Sequence, residues 1–323
     1  MVALGDGLRS PQQVSGEVAL KASNVRKVYR SRGNPPVEAL RDLSLSVTKG
    51  QRVAILGRNG AGKTTFLKIA STLLMPTSGE VSIFSMDVIK NPEMVRPYIA
   101  VVPQEGKPFY HLTPREQVYT YLLTRGFSKE TAKSRADTVL TQMGLAESAD
   151  RLSVTLSGGQ QQRTMVATVL ATEAPLMFLD EPTLGMDPFA RRSVWDALRE
   201  LTRQGSTILL TTHYLDEAES LSHRVYIVDR GKIVAEGTSD ELKRKVGGTI
   251  RVTLKGQRGL TETFAPFGHC ISSDDALHII TEPDRVSEIL TLALKKGLST
   301  TVGPVTLEEA FLKLVGGSIE DEI

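Results

Sequence analysis

The segment Gly57-Arg58-Asn59-Gly60-Ala61-Gly62-Lys63-Thr64 restricts the possible folds more than any other stretch of the chain. It follows the apolar run Val53–Leu56 directly and leads into a helical pattern, so a strand, a glycine-rich turn and a helix start are joined without a linker. Two glycines at fixed spacing ahead of Lys and a hydroxyl residue form a loop whose backbone N–H groups can turn inward around phosphate. The following helix points its positive end at the same place, and Lys63 adds a full charge for the terminal phosphates. A strand that hands a ligand to a helix start in this way sits in an open α/β sheet, at the carboxyl ends of its strands.

The rest of the chain agrees with that class. From Val18 onward, short apolar strands alternate with helical patterns, as expected for an α/β domain with a largely parallel sheet. Two more apolar runs end on polar residues: Leu176–Leu179 on Asp180, and Thr207–Leu210 on Thr211-Thr212-His213. Between the first and second of the three strands, the region of about 105–167 is mostly helical and too long for a simple crossover, which predicts an inserted helical subdomain. After Asp187-Pro188, Val194, Leu198 and Leu201 recur at helical spacing and predict an amphipathic helix ending before Gly205.

Near Gly247-Gly248 the pattern changes. Ile250, Val252 and Leu254 alternate with polar neighbours as in a half-buried strand, and Val286, Ile289, Leu290, Ala293 and Leu294 mark a helix. Thr306-Leu307-Glu308-Glu309 has the capping-box form ahead of a last helix expected to end at Gly316-Gly317. The expected division is therefore a loose tail over 1–17, an α/β domain over 18–245, and a small C-terminal α+β domain over 246–323.

Composition narrows the partners. Lys and Arg total 39 against 37 Asp and Glu, a balance that argues against wholesale nucleic-acid binding. Cys270 is the only cysteine, so no intrachain disulfide can form and a reducing setting fits. No apolar run approaches the roughly 18 residues needed to cross a bilayer, so a membrane role requires another subunit. Residues 1–17 have neither the basic start nor the apolar run of a signal peptide.

The run ending in Asp180-Glu181 delivers two carboxylates to the sheet edge. Asp180 is placed to hold Mg²⁺ through its water shell, with the Thr64 hydroxyl on the same ion, while Glu181 can polarise an attacking water as general base. Leu156-Ser157-Gly158-Gly159-Gln160 reads as a helix N-terminus capped by Ser157, whose exposed N–H groups form a second anion site.

With that signature sequence, the chain resembles the ATP-binding cassette family over about Val18 to Lys245. The resemblance implies a P-loop NTPase core with an added β-subdomain and a helical insertion, and ATP and Mg²⁺ as cofactors. It implies that Gly57, Asn59, Gly60, Ala61, Gly62, Lys63, Thr64 and Thr65 surround the phosphates and that Tyr29 stacks on adenine. Gln104 would join the core to the helical subdomain and sense Mg²⁺ and water, and His213 would contact the γ-phosphate. Ser157, Gly158, Gly159 and Gln160 of one subunit would close on the nucleotide of another, with Asp187 speaking across that interface. Leu184-Gly185-Met186-Asp187 departs mildly from the commoner Ser-Gly-Leu-Asp.

The runs His213-Tyr214-Leu215-Asp216-Glu217-Ala218-Glu219 and Val305-Thr306-Leu307-Glu308-Glu309-Ala310-Phe311-Leu312 resemble exporter ATPases of the drug-resistance and sodium-efflux type. The implied partners are a second copy of the chain or a close paralogue, and a membrane permease that would set the transported molecule and hold the chain at the cytoplasmic face. Two alternatives stay open from sequence: a soluble cassette ATPase acting on ribosomes or DNA, and an importer subunit. The first usually carries two cassettes or a long coiled-coil insertion, and this chain has neither.

Overall fold

The computed structural model describes residues 17–256, 259–272 and 276–316. The predicted tail, apart from Glu17, and the predicted helix stop at Gly317 lie outside the described residues.

Two sheets enclose one helix. The central sheet has the order β10-β9-β3-β8-β7-β6, built from β3 (Arg52–Leu56), β6 (Ile99–Val102), β7 (Leu176–Asp180), β8 (Thr207–Thr212), β9 (Arg224–Asp229) and β10 (Lys232–Gly237). All its pairings are parallel except the β9–β10 hairpin. Every residue of β7 and β8 is buried, as expected of continuous apolar runs covered on both faces. The second sheet, β2-β1-β4-β5, is antiparallel and consists of β1 (Val18–Tyr29), β2 (Val37–Thr48), β4 (Ser78–Ile83) and β5 (Met86–Asp87). Burial in β2 alternates along its second half, the pattern of a strand with one wet face.

Helix α1 (Lys63–Ala70) starts at the glycine-rich loop. Its Phe66, Leu67 and Ile69 pack with Val53, Ile55, Phe178 and Leu209 of the central sheet and with Leu20, Val25, Leu40 and Val81 of the second sheet. Because strand residues alternate in facing, Ala54, Leu56, Met177, Leu179, Ile208 and Leu210 face the other way, into a second core. Covering that face are α3 (Pro114–Thr124), α4 (Lys129–Gln142), α5 (Gly158–Leu170) and α6 (Pro188–Arg203). A short α2 (Pro92–Val95) precedes β6. The helical insertion begins after β6, a strand that the sequence pattern did not single out, and α5 runs past residue 167 because Val169 and Leu170 also enter this core.

After β8 come α7 (Leu215–Leu221) and, beyond the hairpin, α8 (Ser239–Arg244). The C-terminal sheet β12-β13-β11-β14 is antiparallel, with β11 (Ile250–Lys255), β12 (His269–Ser272), β13 (Ala276–Thr281) and β14 (Ser299–Pro304). The short α9 (Thr261–Phe264) and the longer α10 (Val286–Lys295) close one face over Val252, Leu254 and Ile279. The last helix, α11 (Leu307–Val315), lies where the capping-box sequence predicts a helix. Its Leu307, Ala310, Phe311 and Leu312 join the core that holds α7 and α8, together with Ile271 and Ile280 from the face of the small sheet opposite α10. Glu309 ties the helix to the sheet through Arg251, 2.6 Å away, and Leu307 N–H donates to Glu219 on α7.

Candidate functional site

The loop between β3 and α1 is shaped by neighbours distant in sequence. Gly62 caps α1 at φ 107°. A Cβ there would stand 2.6 Å from the Ala39 carbonyl oxygen and 2.9 Å from Leu40 Cδ2. A Cβ on Gly57 would meet Val228 O at 2.3 Å. These two glycines thus admit strands β2 and β9 against the loop, and Gly231 N–H fastens the hairpin by donating to Ala61 O at 2.9 Å. Gly60, at φ 79°, faces open space. The result is a cavity of about 260 Å³ lined by Arg58 through Thr65, with Ala39, Gln104 and Glu181 at its edge.

Lys63 is almost fully buried, and its ammonium donates to the carbonyl of Gly57 at 2.6 Å. Burial lowers its pKa, although Glu181 and Asp180 pull the other way. The Thr64 hydroxyl reaches both Asp180 Oδ1 at 3.1 Å and Gln104 Oε1 at 3.2 Å. Burial pushes the Asp180 carboxyl up from its ordinary value, and hydroxyl donation from Thr211 and Thr64 offsets part of that. These three oxygen donors suit a hard divalent cation that keeps several waters. No group of three or more His, Cys, Asp or Glu side chains that could by itself hold a metal ion occurs among the described residues, so such an ion would use water and phosphate beside these three oxygens.

Glu181 follows at the end of β7 with φ 49°. Its N–H is held by both the carbonyl and the hydroxyl of Thr211, each at 3.1 Å, and this turns the side chain off the strand axis toward the loop. Glu181 Oε1 lies 3.7 Å from Lys63 Nζ and Oε2 lies 3.1 Å from His213 Nδ1. The His213 contact is a close approach that lacks hydrogen-bond angles, since Nδ1 has no hydrogen-bond partner. Tyr29 is exposed at the end of β1, with its hydroxyl 3.3 Å from Thr65 Oγ1 at the cavity rim.

The fold thus brings together Gly57, Asn59, Gly60, Ala61, Gly62, Lys63, Thr64, Thr65, Gln104, Asp180, Glu181, His213 and Tyr29. It leaves Ser157, Gly158, Gly159, Gln160 and Asp187 elsewhere, since none of them lines the cavity. Ser157 and Gly158 are exposed at the start of α5, where Ser157 Oγ accepts from Gln160 N–H and Gln160 Oε1 accepts from Ser157 N–H. Asp187 caps α6, accepting from Phe189 and Ala190 N–H at 2.9 Å each. The two surfaces adjoin, because a Cβ on Gly159 would lie 3.4 Å from Gly185 O. Thr211, the partner of both acidic residues, was not singled out from sequence; its place at the end of an apolar run just before His213 was the available signal.

The family described as ABC transporter matches residues 40–184. The chain is 36% identical over 315 residues to the daunorubicin/doxorubicin resistance ATP-binding protein DrrA of Streptomyces peucetius, covering 94% of each chain. It is 35% identical over 272 residues to the doxorubicin resistance ATP-binding protein DrrA of Mycobacterium tuberculosis, covering 84% of this chain and 81% of that protein. Among solved structures, the dimeric post-hydrolysis state of the ATP-binding cassette MJ0796 bound to ADP and Pi superposes with a TM-score of 0.63 at 30% identity, covering 68% of this chain and 98% of that one. An ATP-binding subunit of an ABC transporter gives the same score at 29% identity, covering 71% of this chain and 93% of that one. The chain belongs to the ABC transporter family and is one of its ATPase cassettes.

Proposed function

We propose that the chain hydrolyses ATP as one half of a cassette dimer and powers export through a separate membrane permease. The observation that carries this reading is the convergence of Thr64, Gln104 and Asp180 within 3.2 Å, next to the Glu181–His213 contact at the mouth of the glycine loop. Lys63 and the loop N–H groups would hold the β- and γ-phosphates of ATP, and Tyr29 would stack on the base. Thr64, Gln104 and Asp180 would hold Mg²⁺, which when bound neutralises charge on the transferring phosphoryl group. Glu181 would take the proton of the attacking water, and His213 would orient that water and the γ-phosphate against it.

The exposed Ser157–Gln160 N-terminus, outside its own chain's cavity, supports a site completed by a second copy or a close paralogue. Its N–H groups and helix dipole suit the γ-phosphate of the other subunit. Loss of that phosphate on hydrolysis would release the two copies, and the motion would pass to the permease. Among the described residues no helix is long and apolar enough to cross a membrane, which supports a separate permease. Phe109, Tyr110, Leu152 and Val154 are all about half exposed or more, and Val154 N–H donates to Tyr110 O, placing these apolar side chains together close after Gln104. That patch suits a permease segment, and the resemblance to drug-resistance ATP-binding proteins supports a location at the cytoplasmic face of the membrane. The drug-resistance relatives favour export over import, and the molecule exported would be selected by the permease.

Glu181→Gln tests the reading. Its shape is conserved and its backbone bonds to Thr211 remain, so ATP binding should persist while hydrolysis falls about 10²- to 10⁴-fold, the usual contribution of a general base. ATP-bound dimer should accumulate on a sizing column. Turnover near wild type would remove Glu181 as the base.

A further inference from the structure

Glu217 is fully buried on α7 and does not line the phosphate cavity. Its Oε1 accepts hydrogen bonds from the Thr183 hydroxyl at 2.9 Å and from the Trp195 indole N–H at 3.0 Å. Thr183 is itself buried, two residues beyond Glu181, in the turn where Leu184 N–H donates to Glu181 O and Met186 N–H donates to Thr183 O. Trp195 belongs to α6, the helix capped by Asp187. Glu217 follows His213 by four residues, in the first turn of α7. A single carboxylate oxygen therefore joins the three segments that carry Glu181, Asp187 and His213.

The surroundings reinforce the junction. Arg191 of α6 pairs with both oxygens of Asp216 at 2.8 and 2.9 Å and lies 4.5 Å over the Tyr214 ring, which sits 4.2 Å from the His213 ring. An apolar side chain at position 217 could fill the same volume without the desolvation cost of burying a carboxylate. Burial does push the Glu217 pKa up, opposed by donation from Thr212, Trp195 and Thr183. What the carboxylate supplies and an apolar group cannot is direction: Oε1 holds donors from two other segments in one arrangement, while the buried Oε2 has no hydrogen-bond partner among the described residues.

We propose that Glu217 is a positioning residue for ATP hydrolysis, one that fixes the Glu181 turn, the Asp187-capped helix and the His213 segment relative to one another. The inference rests on the roles proposed above for Glu181 and His213. It predicts a loss in the chemical step with ATP binding left intact, because neither Glu217 nor its two donors, Thr183 and Trp195, lines the phosphate cavity.

The test uses the full chain and Thr183→Val, which is nearly isosteric and removes only the hydroxyl bond to Glu217. The kcat for ATP hydrolysis should fall at least fivefold while the Kd for ATP stays within twofold of wild type, and Thr183→Ser, which keeps the hydroxyl, should restore at least half of the wild-type kcat. Trp195→Phe cuts the second bond and should lower kcat at least threefold, which keeps the inference testable should Thr183→Val fail to fold. A smaller fall in kcat for these variants, a serine variant as poor as the valine, or a Kd that rises in step with the loss of kcat overturns the proposal. Glu181→Gln measured alongside separates the two readings. If it keeps turnover, the assignment of the base has failed and the positioning role with it; if it loses turnover while Thr183→Val does not, only the role of Glu217 has failed.

Discussion

Gly62→Ala measures how tightly the phosphate loop is held against the second sheet. Two costs combine there. A side chain at φ 107° occupies a backbone region that L residues avoid, worth about 1–3 kcal/mol. The new Cβ would also stand 2.6 Å from the Ala39 carbonyl oxygen, and because that atom is backbone the strand or the loop must move, an overpacking cost of about 1–3 kcal/mol. The sum, about 4 kcal/mol at the middle of the two ranges, corresponds to a Tm lower by roughly 8–16 °C at the 2–4 °C per kcal/mol usual for domains of about 150–250 residues. Gly60→Ala is the control, since Gly60 also has positive φ but meets nothing within 4 Å. It should lose about 1–2 kcal/mol from backbone strain alone. Urea unfolding followed by the fluorescence of the single tryptophan, Trp195, compares the two. ATP affinity should drop in Gly62→Ala, because the loop relieves the contact by moving away from Ala39 and misaims its N–H groups. Equal destabilisation of the two variants would refute the claim that β2 sets the loop geometry.

Two further outcomes follow from side chains away from the reacting atoms. Tyr29→Ala should weaken ATP binding by about 1–3 kcal/mol, the value of base stacking on an aromatic, with Tyr29→Phe nearly silent, as read by equilibrium titration; a silent alanine would make Tyr29 a plain strand residue. For Glu309, burial pushes the carboxyl up, but donation from Thr306 and the Arg251 guanidinium outweighs it and holds the pKa below the ordinary 4.5. The folded state therefore favours the charged form, so this stabilisation is present above about pH 4.5 and is lost as pH falls toward the lowered value. Glu309→Gln should flatten the acid limb of the stability curve in that window, and an unchanged limb would contradict the pairing.

The parts of this molecule legible in the sequence are those whose signal is local. Val53–Leu56 running into Gly57–Thr64 specifies strand, turn and helix within a dozen residues, and Ser157 with Gln160 forms its cap across three. Asp180 and Glu181 could be placed at a sheet edge because the run before them is wholly apolar. The reason for glycine at position 62 was not legible, since it lies with Ala39 on a strand of another sheet. Nor was the packing of α11 onto the main core: its apolar stripe was visible, but the surface that receives it is formed by α7 and α8. Glu217 looked like one acid among several in a helix. Only the fold, which carries Thr183 and Trp195 to it from two other segments, distinguishes it from its neighbours.

The central claim is that each working site is shared between two chains, with the glycine loop of one facing Ser157 of the other. Lys63→Ala removes the buried charge proposed to hold phosphate, and Ser157→Arg fills the exposed helix start where the other subunit's γ-phosphate would dock. Each homodimer should be nearly inactive. In differently tagged, purified heterodimers of the two variants, a shared site places both lesions together and leaves the other site intact. ATP hydrolysis should then return to a level well above either homodimer. Heterodimers no more active than the homodimers would contradict the shared site, because a site built within one chain keeps one lesion in every copy.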